Sequence, residues 1–392
     1  MQTVEAAGLG IGDDHPPRIM GVLNVSEESP YDPSVYDDPS EAAAYVDEEL
    51  VAEGADIVDI GLESANKRLD VLTPEQELAR LDTAVETIES VSGDAVFSIE
   101  TRYAEVADAA LKRGFDMVND ICGFADPEMP AVCREHDAAV AKMASPPDLA
   151  RPGAVEETDW EAARSPEWAE RADYVDEIYA ALEQNGFTDK TIVDPAFGGW
   201  SEEKTLEDDR ETFRRLREFR GHARPILVSI NRKNFLKSVA DRSTEDALPV
   251  SLAATSMAVE RGAHVVRTHD VAETRDAALV GEAFTERSRV VRDGVTVSEL
   301  DVRRPMEVAR HLERIGADGD ASEAYVGRVF EVNGLDSESV DELLTVAERA
   351  GLVVRVGESG LLVGGRLDAL REATARLPET AAFEPLAEAL DP

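Results

Sequence analysis

Lysine, cysteine, aromatic side chains and long apolar runs are all scarce in this chain of 392 residues. Seven lysines occur, and 40 basic residues face 82 acidic ones, which gives a formal net charge of −42. Nucleic acids and anionic membranes are polyanions that bind basic surfaces, so this shortage of positive charge argues against both as partners. An acidic surface suits a cytoplasm rich in salt, where carboxylates are strongly screened, and we expect a halophilic, cytoplasmic protein.

The cysteines and the apolar segments argue against further classes of protein. The two cysteines, Cys122 and Cys133, are too few for a disulfide framework and lack the spacing of a metal site. No run reaches the roughly 18 consecutive apolar residues of a membrane span. The N-terminal segment MQTVEAAGLGIGDDHPP has neither the basic start nor the apolar core of a signal peptide. The hydrophobic content of 43% nevertheless supports an ordinary buried core.

Short apolar segments alternate with amphipathic ones across residues 18–286. The strand-like segments are uniformly apolar and each precedes a helix-like one, a pattern that predicts a parallel (β/α)8 barrel, with a doubly wound open sheet as the alternative. The eight strand-like segments are RIMGVLN, DIVDIG, AVFSIE, DMVND, AAVAKM, TIVDP, PILVSI and HVVRTHD. The helices are expected near residues 39–53, 73–91, 103–113, 127–136, 168–185, 205–219, 246–262 and 271–286.

The pattern of apolar and polar residues changes after about residue 287. VVRDGVTVSELDV predicts paired short strands around Gly294, followed by a helix near 305–315. Further on, the pattern predicts a helix, a hairpin that turns about Glu358-Ser359-Gly360, and a second helix. We therefore expect an N-terminal extension (1–17), the barrel (18–286) and a small α+β domain (287–392) in which no catalytic constellation is evident.

Polar residues stand where the predicted strands end, which is where a barrel of this kind builds its active site. Some of them could merely cap helices, as Asp194 could by itself. Buried polar groups need partners, however, and a ligand rich in donors and acceptors would supply them. Arg267 and His269 are two apart on an extended segment, so they project to one side and could grip an anion. Arg232 is expected to be a solvated surface charge. The strand-end residues are Asn24, Glu63, Glu100, Asn119, Lys142, Asp194, Lys233, Arg267 and His269.

Six motifs in order resemble those of the dihydropteroate synthases. RIMGVLNVSEES is similar to the family's MGILNVTPDSFSDGG, and GADIVDIGLES to its GADIIDIGGESTRPG. FSIETRYAEVADAALKRGFDMVNDICG resembles the family's run from SIDT to INDI. IVDPAFGGW, LVSINRKNF and GAHVVRTHDV resemble LDPGFGFGK, GxSRKSF and GAxixRVHDV. The resemblance covers about residues 18–275, and it extends to the wider group of pterin-binding barrels.

The resemblance implies a TIM barrel that joins 6-hydroxymethyl-7,8-dihydropterin diphosphate to 4-aminobenzoate, or a related arylamine, and releases diphosphate in folate biosynthesis. Glu100, Asn119 and Asp194 would line the pterin pocket, with Asp194 accepting hydrogen bonds from the amino-pyrimidine edge of the ring. Lys233 would hydrogen-bond the acceptors of the pterin. The family commonly forms dimers, so the resemblance also implies a possible homodimer.

The resemblance assigns the opposite side of the site to diphosphate. Asn24, Arg267 and His269 would hold that group, and with Lys233 they would be the catalytic residues. Asn24 would also be a ligand of a bridging Mg²⁺ ion. The reaction needs no nucleophile from the protein, because withdrawing charge from the departing oxygen leaves an electron-poor methylene for the arylamine to attack.

The sequence departs from the family at three places. The Asp of SIDT is Glu100, one methylene longer, and the Thr-Arg pair of GGESTRPG is Ala65-Asn66, for which Lys67 or Arg68 could substitute. The first loop, NVSEESPYDPS, lacks the phenylalanine of NVTPDSFSDGG. These changes fall on one side of the site, so pterin binding is expected to survive better than recognition of aminobenzoate. The alternative is therefore a pterin-binding protein or a methyltransferase-type enzyme that keeps the pterin pocket without diphosphate chemistry.

Overall fold

The computed structural model of the protein divides into two compact units, Met1–Glu286 and Arg287–Pro392. Among the residues it describes, no helix is both long and apolar enough to cross a membrane. It describes residues 2–26, 34–63, 71–149, 158–198, 204–285, 289–292, 295–319, 322–357, 360–378, 380 and 382–390.

The first unit is built on eight parallel strands, as the alternating pattern predicts. Their order is β8-β7-β6-β5-β4-β3-β10-β9, so consecutive strands lie side by side and the first strand, β3, pairs with the last, β10. The two end strands, β8 and β9, meet through one parallel bridge between Val193 and Ile226 and the hydrogen bond from Val193 N–H to Pro225 O at 2.9 Å. The sheet is therefore a nearly closed barrel, and the open-sheet alternative is wrong. The strands are β3 (Arg18–Asn24), β4 (Ile57–Gly61), β5 (Val96–Thr101), β6 (Met117–Asp120), β7 (Ala139–Met143), β8 (Thr191–Asp194), β9 (Leu227–Val228) and β10 (Val265–Thr268).

Helices follow each barrel strand, with local signals that explain their ends. Thr73 caps the second helix and exchanges hydrogen bonds with Gln76, while Pro74 occupies the first turn. The helix expected at 168–185 is divided, because Asp173 begins a new helix with its own capping box. The helices are α1 (Pro39–Tyr45, continued as a π-helix over Val46–Val51), α2 (Pro74–Ser90), α3 (Ala104–Leu111), α4 (Met129–Glu135), α5 (Trp160–Ala163), α6 (Pro166–Arg171), α7 (Tyr174–Leu182), α8 (Leu206–Arg214), α9 (Asn234–Ala240), α10 (Leu248–Glu260) and α11 (Val271–Ala283).

A short antiparallel hairpin, β1 (Val4–Ala6) and β2 (Leu9–Ile11), lies ahead of the barrel. Its apolar side chains are buried in one cluster with Met20, Ile57 and other residues that begin the barrel strands. These positions lie at the amino ends of the strands, so the hairpin closes the floor of the barrel. The carboxyl ends are left as the mouth.

The second unit has a hydrophobic core of its own and the predicted α+β composition. Its strand β13 was not expected from the sequence, and it pairs antiparallel with β15, which also pairs with β14. The turn expected at Glu358-Ser359-Gly360 lies between β14 and β15, and Glu358 and Ser359 are outside the described residues. The elements are β11 (Arg289–Arg292), β12 (Val295–Ser298), α12 (Pro305–Arg314), β13 (Gly327–Val332), α13 (Ser337–Ala350), β14 (Val353–Val356), β15 (Leu361–Arg366), α14 (Leu367–Thr374) and α15 (Glu384–Leu390).

Candidate active site

A connected group of charged and amide side chains fills the mouth of the barrel. Arg267, on β10, donates from Nε to Asp59 Oδ2 at 2.7 Å and from Nη2 to Glu100 Oε2 at 2.6 Å. Asn119, on β6, donates from Nδ2 to the same Asp59 oxygen at 2.9 Å. Asp59 and Glu100 lie on the neighbouring strands β4 and β5, so four strands bring these side chains together.

Burial shapes the charges of this group. Burial raises the pKa of the Glu100 carboxyl above its usual value, and the Arg267 guanidinium opposes this only in part. Burial alone would lower the pKa of Arg267, but the carboxylates of Glu100 and Asp59 raise it above its usual value. Arg267 is therefore a permanent cation, held by two acidic partners.

Glycine at the end of β4 makes room for this arrangement. A Cβ atom on Gly61 would lie 3.0 Å from Asn24 Oδ1 and 3.7 Å from Glu100 Oε1. Glu100 stands where the resembling motif has aspartate, and its longer side chain reaches Arg267. The carboxylate therefore spans from the predicted pterin side of the mouth to the predicted diphosphate side.

Asp194 ends β8 and forms a second polar centre with Lys233. Its Oδ1 accepts a hydrogen bond from Ala196 N–H at 2.8 Å. Burial raises the pKa of Asp194 to about 6, although the Ala196 N–H and the charge of Lys233 oppose the shift. Burial and the charge of Arg267 lower the pKa of Lys233. Both pKa values are therefore shifted toward neutral pH, relative to those of exposed side chains of the same type.

Glycine is also needed beside Lys233. Gly198 has φ +74°, a conformation that residues with side chains rarely adopt, and a Cβ there would lie 3.1 Å from Lys233 Cδ. The free backbone after Asp194 thus lets the chain turn tightly over the lysine. Lys204, which follows the same loop, donates to Ala196 O at 2.8 Å and pairs with Asp209 at 2.6 Å.

The third centre joins Asn24, Ser34 and His269. Asn24 Nδ2 donates to Ser34 Oγ at 3.1 Å, and that hydroxyl lies 3.3 Å from His269 Nδ1. Burial, together with the charges of Arg267 and Lys233, lowers the pKa of His269 to about 3. The imidazole is therefore neutral at physiological pH.

Two sequence-based interpretations are wrong. Side chains alternate across a strand, and Lys142 lies opposite in phase to the positions that face the barrel interior. It points outward, donates to Gly186 O at 2.8 Å and lies 4.4 Å from the ring centre of Phe124. Arg232 is not a solvated charge, because it makes two 2.8 Å hydrogen bonds to Asp270 and is only 15% exposed.

Glu63 takes part in a buried ion pair beside the mouth. Its carboxylate pairs with Arg102, whose side chain is fully buried, and accepts from Leu72 N–H at 3.1 Å. Glu77 lies 3.7 Å from the same guanidinium, and burial raises the pKa of Glu77 to about 7. Lys67 and Arg68, the cations proposed for diphosphate, lie outside the described residues, as do Ala65 and Asn66.

Several residues of the site were missed by sequence reasoning. Asp59 was available as a signal, since a carboxylate in the middle of the apolar run DIVDIG is costly to bury. Ser34 and Lys204 gave no comparable signal, because serine and lysine are ordinary loop residues. Their roles follow from contacts with residues distant in the sequence.

Comparison with known proteins places this geometry in a family. The sequence matches the profile of the pterin binding enzyme family over residues 20–269. It is 34% identical over 265 residues to a probable bifunctional folylpolyglutamate synthase/dihydropteroate synthase of Halobacterium salinarum, covering 68% of this chain but 31% of that protein. It is 30% identical to the dihydropteroate synthase of Escherichia coli, covering 71% of this chain and 95% of that enzyme.

Solved structures agree with the sequence comparison. The structure of a dihydropteroate synthase from Coxiella burnetii in complex with pteroic acid superposes with a TM-score of 0.56 at 27% identity, over 72% of this chain and 98% of that one. The chain therefore belongs to the pterin binding enzymes. The relatives named above are described as dihydropteroate synthases, one of them as part of a bifunctional protein, and the predicted TIM barrel and the predicted transferase are both confirmed.

Proposed function

We propose that the chain condenses 6-hydroxymethyl-7,8-dihydropterin diphosphate with 4-aminobenzoate, or a related arylamine, and releases diphosphate. The observation that carries the proposal is the convergence of Asp194, Asn119, Lys233 and Arg267 on one mouth, where carboxylate, amide and cationic groups match a pterin with a charged leaving group. Asp59 Oδ1 is a buried oxygen without a hydrogen-bond partner among the described residues, which supports a polar ligand at this point.

The pterin side rests on Asp194, Asn119 and Glu100. A carboxylate can pair with a ring N–H and an exocyclic amine at once, and leaving either side unpaired in a buried slot costs about 1–3 kcal/mol. Asp194 is buried and ends a strand at the mouth, so it suits this role. Lys233 would donate to the acceptors of the ring.

The diphosphate side rests on Asn24, Arg267 and His269. Magnesium would bind on this side together with the diphosphate of the substrate. Among the described residues, no cluster of three or more His, Cys, Asp or Glu side chains could hold a metal. Asn24 Oδ1, placed in the space that the missing Cβ of Gly61 leaves, would supply one oxygen. Diphosphate and water would supply the others. Bound there, magnesium would withdraw charge from the departing oxygen.

The chain's own residues would orient the two reactants. Asp194, Asn119 and Lys233 would fix the ring, so that the C–O bond to diphosphate breaks as the arylamine nitrogen bonds to the same methylene. The positive charge of Arg267 would stabilise the negative charge that develops on the departing diphosphate. The proton released by the attacking amine would pass to solvent.

An assay with purified protein tests this proposal. The protein would be mixed with the pterin diphosphate, 4-aminobenzoate and Mg²⁺ in molar KCl, and both 7,8-dihydropteroate and diphosphate would be measured. We expect stoichiometric release of both products. Diphosphate released without 7,8-dihydropteroate or the matching arylamine adduct in the presence of several arylamines, or no turnover despite measurable pterin binding, would overturn the synthase proposal.

The alternative, a pterin-binding or methyltransferase-type protein, is favoured by one contact. Arg267 is already paired with Glu100 and Asp59, so part of its charge is compensated before any anion binds. A protein of this second type would bind plain pterin as tightly as the diphosphate ester. A synthase would bind the ester more tightly, and calorimetry with both ligands distinguishes the two.

The affinity for pterin is expected to fall in acid. Asp194 must be ionised to accept two hydrogen bonds, and its pKa in the unliganded protein is raised to about 6 by burial. Above pH 6 the Asp194 carboxyl is ionised, so the affinity for pterin should not change with pH. Below pH 6 the dissociation constant should rise by up to tenfold per pH unit. Fluorescence titration of a pterin from pH 8 to pH 4 measures this, and the same slope in Asp194→Asn would assign it to another group.

Stability is expected to depend on salt. At a net charge of −42, repulsion between carboxylates opposes the compact state in dilute buffer and is screened as counterions accumulate. This charge is also why we propose a salt-rich cytoplasm as the location. The melting temperature, followed by calorimetry, should rise between dilute buffer and molar KCl. A level melting temperature would contradict the proposed halophilic character.

A further inference from the structure

Ser34 lies where the first loop returns to the barrel. Its neighbour Val35 forms a parallel bridge with Asn24, and Tyr36 N–H donates to Asn24 O at 2.9 Å. These backbone contacts hold the segment as a short added strand beside the end of β3. The side chain of Ser34 is fully buried at this point.

The Ser34 hydroxyl connects two residues that the proposed function assigns to diphosphate. Asn24 Nδ2 donates to Ser34 Oγ at 3.1 Å, so one side of the hydroxyl oxygen is used as an acceptor. The same hydroxyl oxygen lies 3.3 Å from His269 Nδ1, and the tautomer of the ring decides which of the two atoms donates. A serine hydroxyl has one donor hydrogen and two acceptor lone pairs, so both contacts can be made at once.

We infer that Ser34 is a positioning residue that fixes the tautomer of His269 and the amide orientation of Asn24. With Nδ1 accepting from Ser34, the ring proton resides on Nε2, which makes Nε2–H a hydrogen-bond donor. With Nδ2 donating to Ser34, Asn24 directs its Oδ1 toward Gly61 at the mouth. One hydroxyl thus gives the site a neutral donor for an anion and an oxygen for its counterion. The inference rests on the proposed function for the identity of that anion.

The charges around His269 explain why a tautomer matters here. Arg267 and Lys233 face the imidazole from β10 and from the loop after β9, Arg232 lies nearby, and Asp270 opposes them. Together with burial, these cations keep the ring uncharged. A neutral ring donates from one nitrogen only, so the group that hydrogen-bonds the other nitrogen decides which one donates.

Nitrogen-15 NMR of the full chain reads the tautomer without any assay of activity. The chain has six histidines, so a sample labelled with ¹⁵N-histidine in molar KCl gives few signals, and a His269→Gln sample assigns the one that disappears. We expect the long-range ¹H–¹⁵N pattern of the Nε2–H form in the unaltered protein. In Ser34→Ala we expect a mixture of tautomers, and in Ser34→Thr, which keeps the hydroxyl, the original pattern.

Ser26→Ala is the matched control. Ser26 is a buried serine of the same loop, and its hydroxyl has no hydrogen-bond partner among the described residues. This variant should leave the His269 signal unchanged. If Ser34→Ala fails to fold, Asn24→Ala tests the same chain of hydrogen bonds, because it removes the donor that directs the hydroxyl. An Nδ1–H form in the unaltered protein, or the same tautomer in Ser34→Ala and Asn24→Ala, would overturn the inference.

Binding of inorganic diphosphate with Mg²⁺ gives the functional measurement. Calorimetry should show a dissociation constant about tenfold larger in Ser34→Ala, which is the usual effect of removing the hydrogen-bond partner of a ligating group. Ser34→Thr should bind with the original affinity. Equal affinity in Ser34→Ala would overturn the positioning role. If the protein makes no 7,8-dihydropteroate while the NMR result holds, the synthase proposal fails alone. If turnover is normal and the tautomer does not respond to Ser34, the positioning role fails alone.

Discussion

The Asp194→Asn variant is expected to bind a pterin about ten- to a hundredfold more weakly than the unaltered protein. Asparagine is nearly isosteric, and its oxygen can still accept from Ala196 N–H, as Asp194 Oδ1 does at 2.8 Å. Its amide nitrogen would then face the donors of the ring. A buried donor left against another donor costs about 1–3 kcal/mol, which corresponds to this range. Titration calorimetry with 6-hydroxymethylpterin in molar KCl measures it.

Asp56→Asn is the control for that experiment. Asp56 precedes β4 at the floor of the barrel and pairs with Arg18 at 3.1 Å, so it is an ion-paired aspartate far along the strand from the mouth. Its replacement should lower stability slightly and leave pterin affinity unchanged. Equal affinity for pterin in Asp194→Asn and the unaltered protein would remove Asp194 from the site.

The Arg267→Ala variant is expected to lose about 3–5 kcal/mol of stability as well as diphosphate binding, because it leaves two buried carboxylates without their cation. Asp59 is fully buried and Glu100 is 14% exposed. Thermal unfolding in molar KCl should show a melting temperature lower by roughly five to eight degrees for a domain of this size. Adding Glu100→Gln to this variant should restore part of the loss, since it removes one of the stranded charges.

Arg18→Ala separates this effect from the general cost of losing an arginine. Arg18 is 16% exposed and Arg267 is 17% exposed, but the partner of Arg18, Asp56, is 25% exposed and can be hydrated when left alone. The loss in Arg18→Ala should therefore be clearly smaller. A similar melting temperature for the two variants would show that the paired carboxylates of the mouth do not depend on Arg267.

The barrel could be predicted from sequence because its strands are uniformly apolar and regularly followed by amphipathic helices. The helix α9 was not predicted, because its seven residues show too few periods of a pattern to stand out. The predicted strand PILVSI is a strand over two residues only, Leu227–Val228. In the second unit, β13 has alternating half-buried and exposed residues and is recognised only by its pairing with β15.

Within the site, the positions at strand ends were predictable, and the directions of the side chains were not. Lys142 satisfied every local criterion for a site residue, but the phase of its strand turns it outward. Ser34 follows seven undescribed loop residues, and its burial depends on Asn24 and His269, which are 10 and 235 positions away. Contacts of this kind arise from the folded geometry, for which a single sequence carries no signal.

The strands β8 and β9 share fewer paired positions than any other neighbouring barrel strands, and this affects how a ligand can stabilise the whole barrel. One bridge joins these strands, while the other barrel pairs share two to five paired positions. This seam is where the cylinder should open first, and amide hydrogens there, such as that of Val193, should exchange fastest among the barrel strands. Asp194 and Lys233 stand on opposite sides of it. A pterin bound to both residues would link the two strands across this contact. Its binding should therefore slow hydrogen exchange at the Val193 amide more than at the amides between β4 and β5.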